Sequence, residues 1–276
     1  MTSRSGQLFL RKLRVALTPR SARLRTKLQN GALVEGYNRA GYGGRGVYVF
    51  GDSLEPELCY LQHFLTPGSV FVDVGANVGV FTVKAAKEVG SSGLVVAIEP
   101  FVETAFQLSN NVRANGYRNV RVRNFCIGRE TQHARLHLNK GKPNSFSLIP
   151  GGAVESISVM CVSLDDLCRW EKLERLDYLK IDAEGAEAAV LEGGQETLRR
   201  FRPIVQVEVT ICDSSLDRNY SRFAVPGSMN NLFIPAENAK AIAAATELGW
   251  VEILAGQRSQ EEAAVARASE ERGRGN

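Results

Sequence analysis

The chain has 276 residues, of which 44% are hydrophobic and 23% are charged, and its formal net charge is +4. This length allows one sizeable core, which predicts a single domain with appendages. The chain contains no apolar run near the roughly 20 residues of a membrane-spanning helix and no signal-peptide pattern. Its five cysteines are odd in number and lack Cys-x-x-Cys spacing, so we expect no zinc site, no disulfide framework and a reducing, cytoplasmic location.

The positive charge is concentrated in the first thirty residues, which contain eight basic side chains and no acidic one. Apolar residues such as Leu8, Phe9 and Leu13 alternate with these bases. Two interpretations of this arm stay open: a basic amphipathic helix in peripheral contact with an anionic membrane, or a solvated and partly disordered segment. An organelle transit peptide is a weaker third interpretation. At the other end, residues 257–276 are rich in Glu, Arg and Ala and predict a charged, flexible tail.

Strand and helix patterns alternate from residue 70 to about residue 209, as is typical of a parallel sheet with helices on both faces. The predicted strands are 70–74, 94–98, 120–127, 176–181 and 203–209. Alternating polar and apolar residues between 134 and 162 predict an inserted β-hairpin. Residues 213–235 have no clear period, which predicts a loop or lid, and residues 238–248 and 250–254 predict a last helix and strand.

The most informative segment is the turn after the first of these strands, from Asp73 to Gly79, with Gly75 and Asn77 inside it. A strand, a glycine turn and a helix in this order are typical of a nucleotide-type cofactor site in an open α/β sheet. The spacing is not Gly-x-Gly-x-x-Gly. Asp73 would repel a pyrophosphate, whereas it suits a cofactor with a cationic group such as the ammonium of a methionine moiety. The turn therefore predicts S-adenosylmethionine.

Three further acidic residues, Glu99, Asp182 and Glu208, end other predicted strands. Ligands of open α/β sheets bind beyond the carboxyl ends of the strands. Glu99 follows the turn at about the interval expected of a ribose-binding acid. Asp182 is the first candidate for a general base or a ligand of a substrate hydroxyl, and Glu208 is the second. These two could hold a divalent cation, but without a further ligand at a diagnostic spacing we predict no metal site.

Four segments in this order resemble the FkbM-type methyltransferases. They are Asp73–Gly79, Ile98–Pro100, Val162–Asp166, and Lys180–Glu187 with Val190–Gly193. The resemblance covers about residues 55–209. It implies a class I Rossmann-like α/β fold, with a mainly parallel seven-stranded sheet that contains one antiparallel strand. The methyltransferase domain would then span residues 31–256, with its core motifs at 70–209.

The resemblance also implies the chemistry of the site. S-adenosylmethionine would be the methyl donor, and the acceptor would be a hydroxyl group of a polyketide, a sugar or another small molecule. Glu99 would bind the ribose, and Asn124 would lie in the loop on the adenine side. The residues expected around the methionine moiety are Asp73, Gly75, Asn77 and Gly79.

Three alternatives to an O-methyltransferase remain. The basic arm, with Lys180 on one strand face with Asp182, would suit an RNA methyltransferase, but the remaining chain is mildly acidic and lacks an Asn-Pro-Pro-aromatic motif. A nicotinamide-dependent oxidoreductase is disfavoured by Asp73 and by the absence of the middle glycine. The third is a non-catalytic S-adenosylmethionine-binding module that the arm docks on a membrane or a synthase complex. We expect no DNA partner.

Overall fold

The computed structural model describes residues 4–39, 43–138, 146–147, 156–208, 216 and 219–253. The strands are β1 (Arg23–Lys27), β2 (Leu33–Tyr37), β3 (Val70–Val74), β4 (Leu94–Ile98), β5 (Val120–Arg123), β6 (Cys126–Gly128), β7 (Gln132–Leu138), β8 (Phe146–Ser147), β9 (Ser156–Ser163), β10 (Tyr178–Ile181), β11 (Ile204–Glu208), β12 (Tyr220–Ala224), β13 (Asn230–Pro235) and β14 (Val251–Glu252). The helices are α1 (Arg4–Leu17), α2 (Gly44–Phe50), α3 (Leu61–Phe64), α4 (Val80–Val89), α5 (Val102–Ala114), α6 (Leu164–Trp170), α7 (Glu187–Glu192), α8 (Gln195–Phe201) and α9 (Ala239–Glu247), and 3₁₀ turns cover Gly51–Leu54 and Pro56–Cys59.

The main sheet has eight strands in the order β14-β12-β13-β11-β10-β3-β4-β5. The five strands from β5 to β11 are parallel, and β13 runs antiparallel between β11 and β12. This arrangement confirms the Rossmann-like fold with a mainly parallel sheet. The sheet has eight strands rather than the expected seven, and two of them, β13 and the short β14, run against the other six. Every residue of β3 is buried, because helices cover both faces of the sheet.

A second sheet, in the order β6-β9-β7-β8, contains the inserted hairpin. β7 and β9 pair antiparallel from Gln132 opposite Cys161 to His137 opposite Ser156, which confirms the hairpin expected between 134 and 162. The prediction of a single strand at 120–127 was wrong. This segment divides into β5, which pairs with β4, and β6, which leaves the main sheet and pairs with β9.

The prediction of a loop or lid at 213–235 was also wrong for the second half of that segment. Residues 220–235 form the hairpin of β12 and β13, which extends the main sheet beyond β11. The apolar pattern is obscured there because Arg222 and Asn231 are polar and yet buried. Residues 209–215, 217–218 and 254–276, the last of which include the predicted tail, lie outside the described residues.

The basic arm begins as a helix that packs on the domain. Val15 of α1 is buried against Leu24 of β1 and Val49 of α2. The Asn38 side-chain amide donates hydrogen bonds to the carbonyls of Val15 and Thr18, at 2.9 and 2.8 Å, and so holds the carboxyl end of α1. The antiparallel hairpin of β1 and β2 spans residue 30, where the arm was expected to end. Within the described ranges, every helix is too short or too polar to cross a bilayer.

Candidate functional site

An open cleft lies beyond the carboxyl ends of β3, β4 and β10. Its walls combine apolar residues with the polar groups that follow these strands. The residues of the wall include Gly75, Asn77, Glu99, Asp182 and Glu184. The cleft therefore brings together, at one edge of the sheet, three of the segments that the sequence analysis had singled out separately.

The glycine turn follows β3 and forms one wall of the cleft. Three of its residues have left-handed backbone conformations, with φ of 74° at Gly75, 51° at Asn77 and 88° at Gly79. The amides of Gly75 and Ala76 both donate to the carbonyl oxygen of Ile98, at 3.0 and 2.9 Å. A Cβ on Gly75 would overlap the carbonyl oxygen of Asp182. The turn therefore packs directly against the chain that follows β10, and only glycine allows this approach.

Glu99 follows β4 and lies at the cleft with its carboxylate fixed by two backbone amides. Asn77 and Phe101 each donate an N–H to one of its oxygens at 2.9 Å. Burial raises the pKa of Glu99 to about 7, although these two donors act in the opposite direction. Each carboxylate oxygen can still accept a further hydrogen bond. The side chain is thus oriented to accept hydroxyl donors from a ligand in the cleft.

Asn124 lies beside Glu99 rather than in the wall of the cleft. Its exposed side-chain amide donates to the carbonyls of Glu99 and Pro100, at 2.9 Å each. These bonds hold the turn that presents the Glu99 carboxylate. A direct contact between Asn124 and a cofactor stays a prediction.

Asp73 is fully buried in β3 and is not part of the cleft wall, which its neighbour Val74 lines. The Asp73 carboxylate accepts a hydrogen bond from the Thr82 hydroxyl at 2.6 Å and lies 3.5 Å from the Lys180 ammonium. Burial raises the pKa of Asp73, although Lys180 acts against this shift. Within the protein, the cation nearest to this carboxylate is Lys180. A contact between Asp73 and the methionine moiety of a cofactor stays a prediction.

Lys180, on β10, connects the buried Asp73 with the rim of the cleft. Its ammonium lies 3.4 Å from the Asp182 carboxylate and 5.0 Å from the centre of the Phe81 ring. Burial alone would lower the pKa of Lys180, but the carboxylates of Asp182, Asp73 and Glu55 outweigh burial and raise it. Lys180 is therefore charged near neutral pH, and it balances carboxylates on both sides of the sheet edge.

Glu55 is a member of this charge cluster that the sequence analysis missed. It lies between the two 3₁₀ turns and is half-buried, and burial raises its pKa to about 7. No motif or spacing marks Glu55, because only the tertiary fold brings this residue towards Lys180. The sequence shows that Lys180 lies two residues before Asp182, but it does not show that Lys180 contacts Asp73.

Asp182 lies at the rim of the cleft directly after β10. Its amide donates to the carbonyl oxygen of Val74 at 3.1 Å, and its side chain is 52% exposed. The turn that follows is held by Glu187, whose carboxylate accepts the amides of Ala183 and Gly185, at 2.9 and 3.1 Å. Asp182 therefore has a fixed backbone and an accessible carboxylate, as a group that accepts a proton from a substrate requires.

Glu208 is the last residue of β11, and its side chain lies outside the described part of the structure. Val207 is the register partner of Ile181, so Glu208 and Asp182 follow neighbouring positions on adjacent strands. Among the residues that the structure describes, no group of three or more His, Cys, Asp or Glu side chains is arranged to hold a metal ion.

The charged groups described in the cleft wall are all acidic, namely Glu99, Asp182 and Glu184. Such a cleft repels a pyrophosphate and attracts a cation. S-adenosylmethionine carries a sulfonium and an ammonium group together with a ribose diol. The residues present therefore fit this cofactor, since Glu99 can accept the diol and the remaining acids favour the cations.

Comparisons with known proteins identify the family of the chain. A family model described as the methyltransferase FkbM domain matches residues 73–218, more than half of the chain. The chain is similar to Methyltransferase 1 of Beauveria bassiana (strain ARSEF 2860), with 26% identity over 179 residues that cover 58% of this chain and 71% of that protein.

Two solved structures are also similar to this chain. The methyltransferase FkbM from Methylobacillus flagellatus KT has a TM-score of 0.39 and 18% identity, over 59% of this chain and 42% of that one. Fibrillarin from Aeropyrum pernix, with natively bound S-adenosyl-L-methionine, has a TM-score of 0.41 and 12% identity, over 76% of this chain and 91% of that one. The chain thus spans less than half the length of the solved FkbM methyltransferase.

Proposed function

Because the chain belongs to the FkbM family of S-adenosylmethionine-dependent methyltransferases, we propose that it methylates a hydroxyl group of a small molecule or glycan. The observation that supports this proposal most is the position of Asp182. Its accessible carboxylate lies at the rim of a cleft whose other charged groups suit the methyl donor. A neutral hydroxyl must lose its proton when it is methylated, and a carboxylate at this position can accept it.

The chain's own residues provide alignment and proton transfer. When bound, S-adenosylmethionine supplies an electrophilic methyl carbon and a neutral thioether leaving group. Glu99 would accept the ribose hydroxyls, and the turn from Gly75 to Gly79 would let the methionine moiety approach the backbone. Asp182 would accept the proton that the acceptor hydroxyl loses. Holding the reacting atoms in line within about 3.5 Å provides much of the rate enhancement in such transfers.

Lys180 acts as a positioning residue in this mechanism. It lies 3.4 Å from one oxygen of Asp182 and is itself held by the buried Asp73. The carboxylate of Asp182 is therefore oriented from the protein side and open on the cleft side. Glu208, which ends the adjacent strand, is the second candidate for the base.

A comparison of variants tests the assignment of the base. Asp182→Asn should lower kcat by about 100-fold or more, since a positioned general base contributes roughly 10² to 10⁴. The Kd for S-adenosylmethionine, measured by calorimetry, should change less than about threefold, because the amide keeps the shape of the side chain. Glu174→Gln, a substitution at an exposed residue elsewhere, serves as the control. If Asp182→Asn retains full turnover and Glu208→Gln does not, Glu208 is the base.

The class of acceptor is tested with radiolabelled methyl donor and fractionated cell extracts. We expect label in low-molecular-weight or glycan fractions, in a linkage that is stable to mild alkali as an ether is. Label that is lost after ribonuclease treatment would replace this proposal with an RNA methyltransferase. Tight binding of S-adenosylmethionine without label in any fraction would indicate a non-catalytic module.

A further inference from the structure

Helix α1 has two apolar faces, and among the residues that the structure describes only one of these faces packs against the domain. Leu8 and Val15 face the domain, where Val15 is buried. Four large apolar side chains on the other side are between 44% and 76% exposed, namely Phe9, Leu10, Leu13 and Leu17. Packing of the domain core does not account for this second face.

The exposed residues form a continuous stripe along the helix. Phe9, Leu13 and Leu17 follow one another at intervals of four residues, so their side chains lie one above the other on one side of α1. At 100° per residue, this stripe is centred opposite the side that carries Leu8 and Val15. The stripe therefore points away from the domain along the part of the helix from Phe9 to Leu17.

Basic residues flank this stripe. Lys12 and Arg14 lie on its two sides and are exposed, and Arg20 is exposed just after the helix. The chain contains no acidic residue before Glu35. The helical periodicity thus places apolar side chains on the outermost line of α1 and cationic groups at the edges of that line.

We propose that α1 is an interfacial anchor that inserts its outer apolar stripe into the surface of an anionic lipid bilayer. An apolar stripe between cationic edges matches the acyl boundary and the headgroups of such a membrane. A second copy of the chain fits this surface less well, because a symmetric contact would bring Lys12 and Arg14 close to the same cations of the other copy. Anchoring is independent of methyl transfer and does not rest on the proposed acceptor.

The contacts of α1 with the domain favour such a role. Asn38 holds the carboxyl end of the helix through two carbonyls, and the Arg11 and Arg14 guanidinium groups lie 6.0 Å from the centre of the Tyr48 ring. The helix is thus formed and oriented before it meets a membrane. An isolated amphipathic peptide loses conformational entropy when it folds into a helix on insertion. Because α1 is already folded, its binding to a membrane does not have to offset that loss.

Vesicle co-sedimentation of the full chain tests the proposal. The probes are vesicles of phosphatidylcholine alone and vesicles with about 30% phosphatidylglycerol, at low and high salt. We expect binding to the anionic vesicles that weakens with salt, because exposed charges are screened. Leu13→Ser/Leu17→Ser should weaken this binding by about tenfold or more, because the variant loses the burial of two leucine side chains in the bilayer surface.

The matched control is Val102→Ser/Phe106→Ser on α5. This pair also lies four residues apart on a helix, with exposed fractions of 60% and 61%, but outside the basic arm. We expect wild-type vesicle binding from this variant. Circular dichroism and thermal melting show whether each variant is folded. If Leu13→Ser/Leu17→Ser is unfolded, the variant Lys12→Glu/Arg20→Glu takes its place, and its binding to anionic vesicles should also be weakened.

Three results would overturn the anchor. One is a wild-type protein that ignores anionic vesicles at low salt. Another is equal binding by the α1 variant and the α5 control. The third is a wild-type dimer in sedimentation velocity that becomes a monomer with Leu13→Ser/Leu17→Ser, which would assign the stripe to contact between copies.

Discussion

The raised pKa of Glu99 makes cofactor affinity depend on pH in a way that can be calculated. Without ligand, burial raises this pKa to about 7, so about a tenth of the molecules carry the carboxylate at pH 6 and about nine-tenths at pH 8. The ribose hydroxyls donate to the charged form, so its stabilisation lowers the pKa in the complex. If that lower pKa is below about 5, the Kd for S-adenosylmethionine rises about tenfold from pH 8 to pH 6.

Isothermal titration calorimetry measures both the affinity and the proton balance. Titrations at pH 7 in buffers of different ionisation enthalpy should show release of about half a proton per cofactor bound, because half of the Glu99 side chains start protonated. Glu99→Gln should abolish both the proton release and the dependence of Kd on pH. At pH 8 it should weaken binding by roughly 10- to 100-fold, as expected for the loss of charge-assisted hydrogen bonds of about 1.5–3 kcal/mol.

Asp182→Asn is the control, because that carboxylate has no assigned contact with the ribose. A wild-type affinity that stays constant between pH 6 and 8 would refute the assignment of Glu99 to the ribose. The same conclusion would follow if Glu99→Gln kept the proton release, since another group would then titrate on binding.

Three further predictions concern stability. The pKa of Glu99 is higher in the folded than in the unfolded chain. The contribution of Glu99 to the free energy of unfolding is therefore complete below about pH 4.5 and is lost as pH rises through about 7. In denaturant titrations, the free energy of unfolding should fall by roughly 3 kcal/mol less over this pH range in Glu99→Gln than in the wild type. Gly75→Ala should lower the free energy of unfolding by more than about 2 kcal/mol and abolish cofactor binding in calorimetry, because its Cβ meets a backbone oxygen. The control is Gly116→Ala, also at positive φ but with open space around the Cβ, which should lower the free energy of unfolding by only about 1 kcal/mol. Equal losses in the two variants would contradict the overlap at Gly75. Lys180→Met should destabilise the protein by about 3–5 kcal/mol in denaturant titrations at pH 8, because it leaves the Asp73 carboxylate buried without its cation. A loss below about 1 kcal/mol would show that Asp73 is neutral in this variant at pH 8.

Local patterns were sufficient where a feature depends on neighbouring residues in the chain. The buried parallel strands are short apolar runs, and the glycine turn has its own spacing. The carboxyl ends of parallel strands meet at one edge of the sheet, so the acidic strand ends Glu99 and Asp182 were expected at the edge where the cleft lies.

Local patterns failed where polar residues are buried by contacts that are distant in sequence. The hairpin of β12 and β13 was interpreted as a loop because Arg222 and Asn231 interrupt its apolar pattern, although both are buried in the sheet. The strand expected at 120–127 divides because β6 finds its partner in β9, more than thirty residues later. Pairings of this kind depend on the whole fold and leave no short-range signal.

The sequence by itself determined the buried parallel strands, the glycine turn and the acidic strand ends, because these follow from side-chain size, polarity and spacing along the chain. Only the tertiary structure decided that the Asp73 carboxylate lies beside Lys180. The pairing of β3 with β10 makes these two residues register partners, and the same fold brings Glu55 towards the Lys180 ammonium. Electrostatic partners are set by distances of a few ångströms between separate elements, and these distances exist only after the sheet and its helices have packed.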